Sequence, residues 1–267
     1  MELRNTENLL KVKFQNNDFD TYAVLVCYGD EEKAFYWYSK SAEQGNASAQ
    51  CNLADFHLRG CVTVQNSEKA AELYMASAGQ GNDRAKLMLA ILYENGQGVE
   101  KNVKKAINYY MELDEKGDAT AQYRLGYCYE YGKIVDQSFD KAVELYAKSA
   151  EQGNDKAQYS LGHLYENGQG VEQYAEKAFE LYNLSANQGN MEAQYSIGRC
   201  YEYGIGVEKN IEKALEWYLK SAGQECSNAE FALGECYAEG IGVEQNWEKA
   251  LQNKQKIHSY STSATVH

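Results

Sequence analysis

The side chains that most often carry chemistry are sparse in this 267-residue chain, and their spacing builds no reactive centre. The four histidines, His57, His163, His258 and His267, fall into no HExxH pair and no metal-ligand spacing. Seven cysteines, an odd number, include no CxxC. Cys51 and Cys61 stand at the two ends of one helical stretch, too far apart to bridge. The loop Gly168-Gln169-Gly170-Val171 recurs from Gly96, Gly204 and Gly240. It follows no strand and lacks the third glycine or the lysine that a phosphate cradle needs. Asn46-Ala47-Ser48 and Asn183-Leu184-Ser185 match a glycosylation acceptor, but both sit at or inside a helix. We therefore expect no catalytic residue, no metal and no cofactor.

What does recur is a framework. Alanine returns every 36 residues, at Ala49, Ala85, Ala121, Ala157, Ala193 and Ala229. Four residues on stand Leu53, Leu89, Leu125, Leu161, Ile197 and Leu233, and eleven on Gly60, Gly96, Gly132, Gly168, Gly204 and Gly240. A period in this range marks a stacked-repeat protein. In the copy opening at Ala157, the spacing of Ala157, Leu161, Leu164 and Tyr165 predicts a first helix over 157–167, ended by Gly168. Ala178, Leu181, Tyr182, Ser185 and Ala186 predict a second helix over 176–188. Asn66, Asn102, Asn210, Asn246 and Ser138 stand where that helix begins and read as N-caps. Gly162, with Gly126, Gly198 and Gly234 in register, predicts that another backbone approaches closely there. The loops from Gly60 and Gly132 lack the second glycine and should differ in shape.

These copies divide the chain into an N-terminal segment with a shortened first repeat (1–48), six repeats (49–84, 85–120, 121–156, 157–192, 193–228 and 229–257) and a polar tail (258–267). The fold class is all-α, a solenoid of tandem antiparallel helix pairs. The absence of proline suits it, since proline blocks helix interiors. The formal charge of −13 argues against nucleic acid or an anionic membrane surface as partner. No apolar run is long enough for direct membrane insertion. Cys128, Cys200 and Cys236 share one register with Phe56, Leu92 and Leu164 and read as small core fillers. Reduced cysteines point to the cytoplasm, with a secreted or luminal site as the alternative.

The pattern A-x-x-x-L-G-x-x-Y-x-x-G-x-G-V, followed by K-A-x-x-x-Y and A-x-x-Q-G-N, resembles the Sel-one-like repeat (SLR) family, longer relatives of the tetratricopeptide repeats. The match runs from about Asp30 to Ile257. The resemblance implies a right-handed superhelix with first helices on the concave side, and an adaptor role without shared catalytic residues. It also suggests groove contacts at positions 2, 6, 9 and 10 after each opening alanine. Those positions hold Tyr123, Tyr127, Glu130 and Tyr131, then Tyr159, His163, Glu166 and Asn167, then Tyr195, Arg199, Glu202 and Tyr203. Tyrosines offer contact area at low entropic cost, and the carboxylates would draw a basic partner. The expected function is thus a monomeric scaffold that binds a protein or peptide in an acidic, tyrosine-rich groove. The alternative is a secreted or luminal SLR factor acting on host or cell-wall partners.

Overall fold

A computed structural model of the chain describes residues 31–249. Among them are twelve complete helices, the start of a thirteenth at Trp247, and no strand. The chain divides into two compact units, Met1–Leu113 and Asp114–His267. The first carries α1 (Glu31–Glu43), α2 (Ala47–Arg59), α3 (Ser67–Gly79), α4 (Asp83–Asn95) and α5 (Val103–Asp114, whose last residue opens the second unit). The second carries α6 (Ala119–Tyr131), α7 (Phe139–Glu151), α8 (Asp155–Asn167), α9 (Ala175–Asn187), α10 (Met191–Tyr203), α11 (Ile211–Ala222) and α12 (Ser227–Glu239). Within each unit the helices pack in sequence, as an α solenoid does.

Each helix begins and ends for a local reason. The side chain of Asn66 accepts from the Lys69 amide at 2.8 Å, and Asn102, Ser138, Asn210 and Asn246 do the same for their own helices, as expected. First helices are capped as well: Asn46, Asn82, Asp118, Asn154 and Asn190 accept from the amide three residues on, which starts these helices two residues before the expected alanine where resolved in the 157 copy. A side-chain acceptor at this place satisfies one of the orphan donors of a helix start. Gly168 takes φ 66° and returns its amide to the Leu164 carbonyl. The amide of Gln173 then donates to the Glu166 carbonyl at 2.7 Å, which ties the loop back onto the helix it left.

Each unit is built on core tyrosines. Tyr74 and Tyr110 in the first unit, and Tyr146, Tyr182 and Tyr218 in the second, are the largest fully buried side chains. Around Tyr146 pack Ala142, Ala157, Leu161, Leu164 and Leu181. This explains the mid-helix glycines, and corrects the expected cause. A Cβ at Gly126 would meet the Tyr146 ring at 2.8 Å, and one at Gly198 the Tyr218 ring at 2.5 Å. The neighbour is mainly an aromatic ring; at Gly162 the Ala178 carbonyl joins it at 3.2 Å.

Two further bonds close each helix pair. Ser149 Oγ donates to the Ala119 carbonyl at 2.6 Å, and the Gln152 amide to Gln122 Oε1 at 2.8 Å. Ser77 with Gln80, Ser185 with Gln188 and Ser221 with Gln224 repeat the arrangement. The pair α4–α5 departs: Leu113 stands in place of the serine, and Lys86 pairs with Glu112.

One loop expectation is corrected. Ile134 holds φ 66°, the left-handed conformation that the second glycine holds at Gly170, so the Gly132 loop keeps its backbone shape without the glycine. A β-branched residue there is strained. The N-terminal segment, most of the shortened first repeat's leading part, the end of the sixth repeat and the 258–267 tail, with His258 and His267, lie outside the described residues.

Candidate functional site

The sequence-derived contacts all fall in the second unit, on the first helices α6, α8 and α10. The helix period puts positions 2, 6, 9 and 10 on neighbouring strips, and the structure assigns those strips different work.

Position 9 faces inward. Glu130 is buried, and its carboxylate accepts from the Tyr146 hydroxyl at 2.6 Å. Glu166 accepts from Tyr182 at 2.6 Å and Glu202 from Tyr218 at 2.5 Å. In the first unit Glu94 accepts from Tyr110 at 2.8 Å, while Asp55 serves Tyr74 where Leu58 holds position 9. A phenol drawn into a helical core needs a partner for its hydroxyl. The glutamates supply it, so their recurrence comes from packing. Glu130 is therefore removed from the contact surface. Glu166 and Glu202 remain partly exposed but engaged. Burial and the carboxylate beside it push the phenols of Tyr146, Tyr182 and Tyr218 well above the usual tyrosine range.

Position 2 is half-buried. The rings of Tyr123, Tyr159 and Tyr195 lie against the core tyrosines, with centroids 5.8, 5.7 and 5.7 Å from Tyr146, Tyr182 and Tyr218. Much of their surface is thus spent inside the helix pair. Burial raises all three phenols.

Positions 6 and 10 make the exposed row. Tyr131 is 56% exposed and Tyr203 64%, with Asn167 exposed at the same position of the copy between them. His163 is exposed, and its carbonyl accepts from the Asn167 amide at 2.8 Å. Tyr127 is half-covered: its ring lies 4.5 Å from that of Tyr131, and the Lys133 ammonium stands 4.3 Å over it. Arg199 reaches back to Glu166 of the preceding copy at 3.4 Å, which couples α10 to α8.

The exposed tyrosines stand next to acidic neighbours. Burial, then the charge of Glu202, raises the Tyr203 phenol. Burial, then the charge of Glu130, push the Tyr131 phenol up to about 12. The Tyr131 ring packs on that of Tyr127, which suits contact by setting its position before a partner arrives. Among the described residues, no cluster of histidine, cysteine, aspartate and glutamate converges as a metal site.

Sequence reasoning underweighted the far end of the face. Phe231 is 47% exposed on α12, and Glu235 and Glu239 follow it at positions 6 and 10. The signal that would have separated buried from exposed carboxylates was present: the last repeat has Ala238 at position 9 and Lys254 in the tyrosine position, so both partners of the pair are lost together.

Comparison with known proteins places the chain. No helix among the described residues is long and apolar enough to cross a membrane. No curated protein matches the sequence. Among solved structures, a protective antigen of uropathogenic Escherichia coli with an SLR fold is 37% identical, with a TM-score of 0.76 over 84% of this chain and 48% of that one. This chain thus spans about half the length of the antigen. A Sel1 repeat protein from Oxalobacter formigenes is 26% identical, with a TM-score of 0.83 over 90% of this chain and 99% of that one. An immunity protein from Pseudomonas aeruginosa is 25% identical, with a TM-score of 0.53 over 80% and 81%. Proteins of this repeat type generally act as non-enzymatic scaffolds that bind other proteins. The Sel1 repeat model matches residues 27–46, 47–82, 83–110, 119–154, 155–190, 192–225 and 227–253, and the chain belongs to the Sel1 repeat family.

Proposed function

We propose that this chain is a scaffold that holds a partner polypeptide along the exposed row of α6, α8 and α10, with Tyr131, His163, Asn167 and Tyr203 as principal contacts. The observation that carries the reading is the pair of exposed tyrosines, Tyr131 and Tyr203, at one repeat position. Exposed aromatic surface with a polar tip is the composition of protein-binding hot spots, and the packing of Tyr131 on Tyr127 lowers the entropy lost on contact. Tyr123, Tyr127, Tyr159 and Tyr195 support the row from beneath, and Arg199 with Glu166 keeps α8 and α10 in register. No residue is assigned a catalytic role.

We also place the protein in a reducing compartment, the cytoplasm. Cys51, Cys128, Cys200 and Cys236 are buried in the apolar core, where they act as filler.

The test uses a photo-crosslinking residue at Asn167, with the same residue at exposed Glu180 on α9 as control. The row should give a discrete crosslinked species in native cells that Tyr131→Ala with Tyr203→Ala abolishes. Equal crosslinking from both positions would overturn the reading.

A further inference from the structure

The described part of the second unit ends in a recess between α10 and α12 whose chemistry differs from the rest of the row. Its volume is about 220 Å³, below the roughly 300–1,000 Å³ of sites for drug-sized ligands. It has room for a side chain and not for a cofactor. Exposed Tyr203 and Phe231 form aromatic walls, and Glu202, Glu235 and Glu239 bring three carboxylates to the lining. Glu202 is occupied by Tyr218. Glu235 and Glu239 are exposed, stand four residues apart on one helix face, and have no cation paired with them among the described residues. Like charges at that spacing repel.

Arg199, the cation of the lining, is directed to Glu166 at 3.4 Å. An anionic ligand would meet two uncompensated carboxylates here. An apolar side chain would bury them. A cation satisfies both features at once: ring faces attract it through their quadrupole, and the carboxylates accept its hydrogen bonds. The thiol of Cys236 at the floor of the recess reports the same field, since burial and then Glu202, Glu235 and Glu239 push it up to about 11.

We infer that the α10–α12 recess is a receptor for one basic side chain, an arginine by preference, projected from the partner polypeptide. Guanidinium is favoured over ammonium because its plane stacks on Tyr203 or Phe231 while its fork reaches Glu235 and Glu239. The inference rests on the scaffold reading, and it sets the partner's orientation by placing the basic residue at the α12 end of the row.

The test follows the backbone amides of residues 199–241 by NMR while the intact protein is titrated with N-acetyl-arginine methylamide. N-acetyl-citrulline methylamide, neutral and nearly isosteric, is the comparison. The arginine derivative should give saturable shifts confined to the recess, and Glu235→Gln with Glu239→Gln should weaken its binding about tenfold. Both substitutions are on the surface and keep side-chain volume, and an unchanged amide spectrum elsewhere confirms the fold. Equal shifts with citrulline, or an unchanged affinity in the double variant, would overturn the inference. If the crosslink from Asn167 persists undiminished in the double variant but is lost in Tyr131→Ala with Tyr203→Ala, the recess fails and the scaffold reading stands. If no crosslink forms while arginine still binds, the scaffold reading fails instead.

Discussion

The Tyr146 hydroxyl, on a residue with no exposed surface, donates to the Glu130 carboxylate at 2.6 Å across the α6–α7 pair. The two residues lie 16 apart in sequence, and the same bond recurs at Tyr182–Glu166 and Tyr218–Glu202. Hydrogen bonds to charged groups are worth roughly 1.5–3 kcal/mol. Tyr146→Phe should cost an amount in that range, because Glu130 is left buried with one donor fewer. Tyr182→Phe should cost about half as much, in the same terms, since the Arg199 guanidinium remains beside Glu166. Urea titrations of the two variants decide this; equal costs would show that the ion pair does not compensate.

The glycines facing these rings should not be equivalent. Alanine in a helix gains about 1 kcal/mol over glycine, and overpacking a core costs about 1–3 kcal/mol. At Gly198 a Cβ would stand 2.5 Å from the Tyr218 ring, so Gly198→Ala should lower the melting temperature. At Gly162 the distance is 3.0 Å, and the two effects should nearly cancel. A Gly198→Ala protein that melts no lower than Gly162→Ala would refute the ring contact as the cause.

Four residues break rules that the other copies keep, among them Cys226, which caps α12 without a side-chain bond. Ile134 and Glu225 hold φ 66° and 65°, and Tyr174 caps α9 without a side-chain bond where other copies use asparagine or serine. Ile134→Gly, Glu225→Gly and Tyr174→Asn should each stabilise the protein by about 0.5–1.5 kcal/mol. Far-apart sites should add, and the triple variant measured by calorimetry tests that. Nothing in the structure explains why Tyr174, 54% exposed, replaces the cap.

Stability should fail on the alkaline side. Burial raises the thiols of Cys51 and Cys200 from 9.0 to about 11 and about 12, and the core tyrosines rise from 10.0. Each folded pKa lies above its unfolded value, so this stability is complete at pH below the unfolded value of 9.0. Above it, every group that ionises only in the unfolded chain removes about 1.4 kcal/mol per pH unit. Denaturation midpoints should hold steady to pH 8.5 or so and fall steeply from pH 9 to 11. A flat profile would mean the thiols and phenols ionise as readily folded as unfolded. In native protein at neutral pH, exposed Cys61 should react first with a thiol reagent, well ahead of Cys51, Cys128 and Cys200.

Much of this was readable from the residues. The 36-residue return of alanine and leucine gave the helix pairs, and Asn66 and Asn210 marked their starts because a cap is a local bond spanning three residues. What escaped was the pairing between helices. Glu166 looks like surface in a helical projection, since it stands next to exposed Asn167 and its partner Tyr182 is on another helix. Likewise Ile134 in a glycine position suggested a new loop shape, yet the backbone keeps the old one at the expense of strain. Periodicity reports which residues recur; whether stacking or binding made them recur is settled by where their polar atoms point.

The tyrosine–glutamate bond also bears on how such a chain can lengthen. Both partners lie inside the block 155–190, as do the serine and glutamine clamps. Duplicating or deleting a whole block therefore carries these donors with their acceptors, whereas a break between α8 and α9 would strand Glu166. Copy number is free to drift while the block's interior is held constant. The exposed residues at positions 6 and 10 are then the letters that differ from copy to copy, and adding a block extends the surface by one more of them.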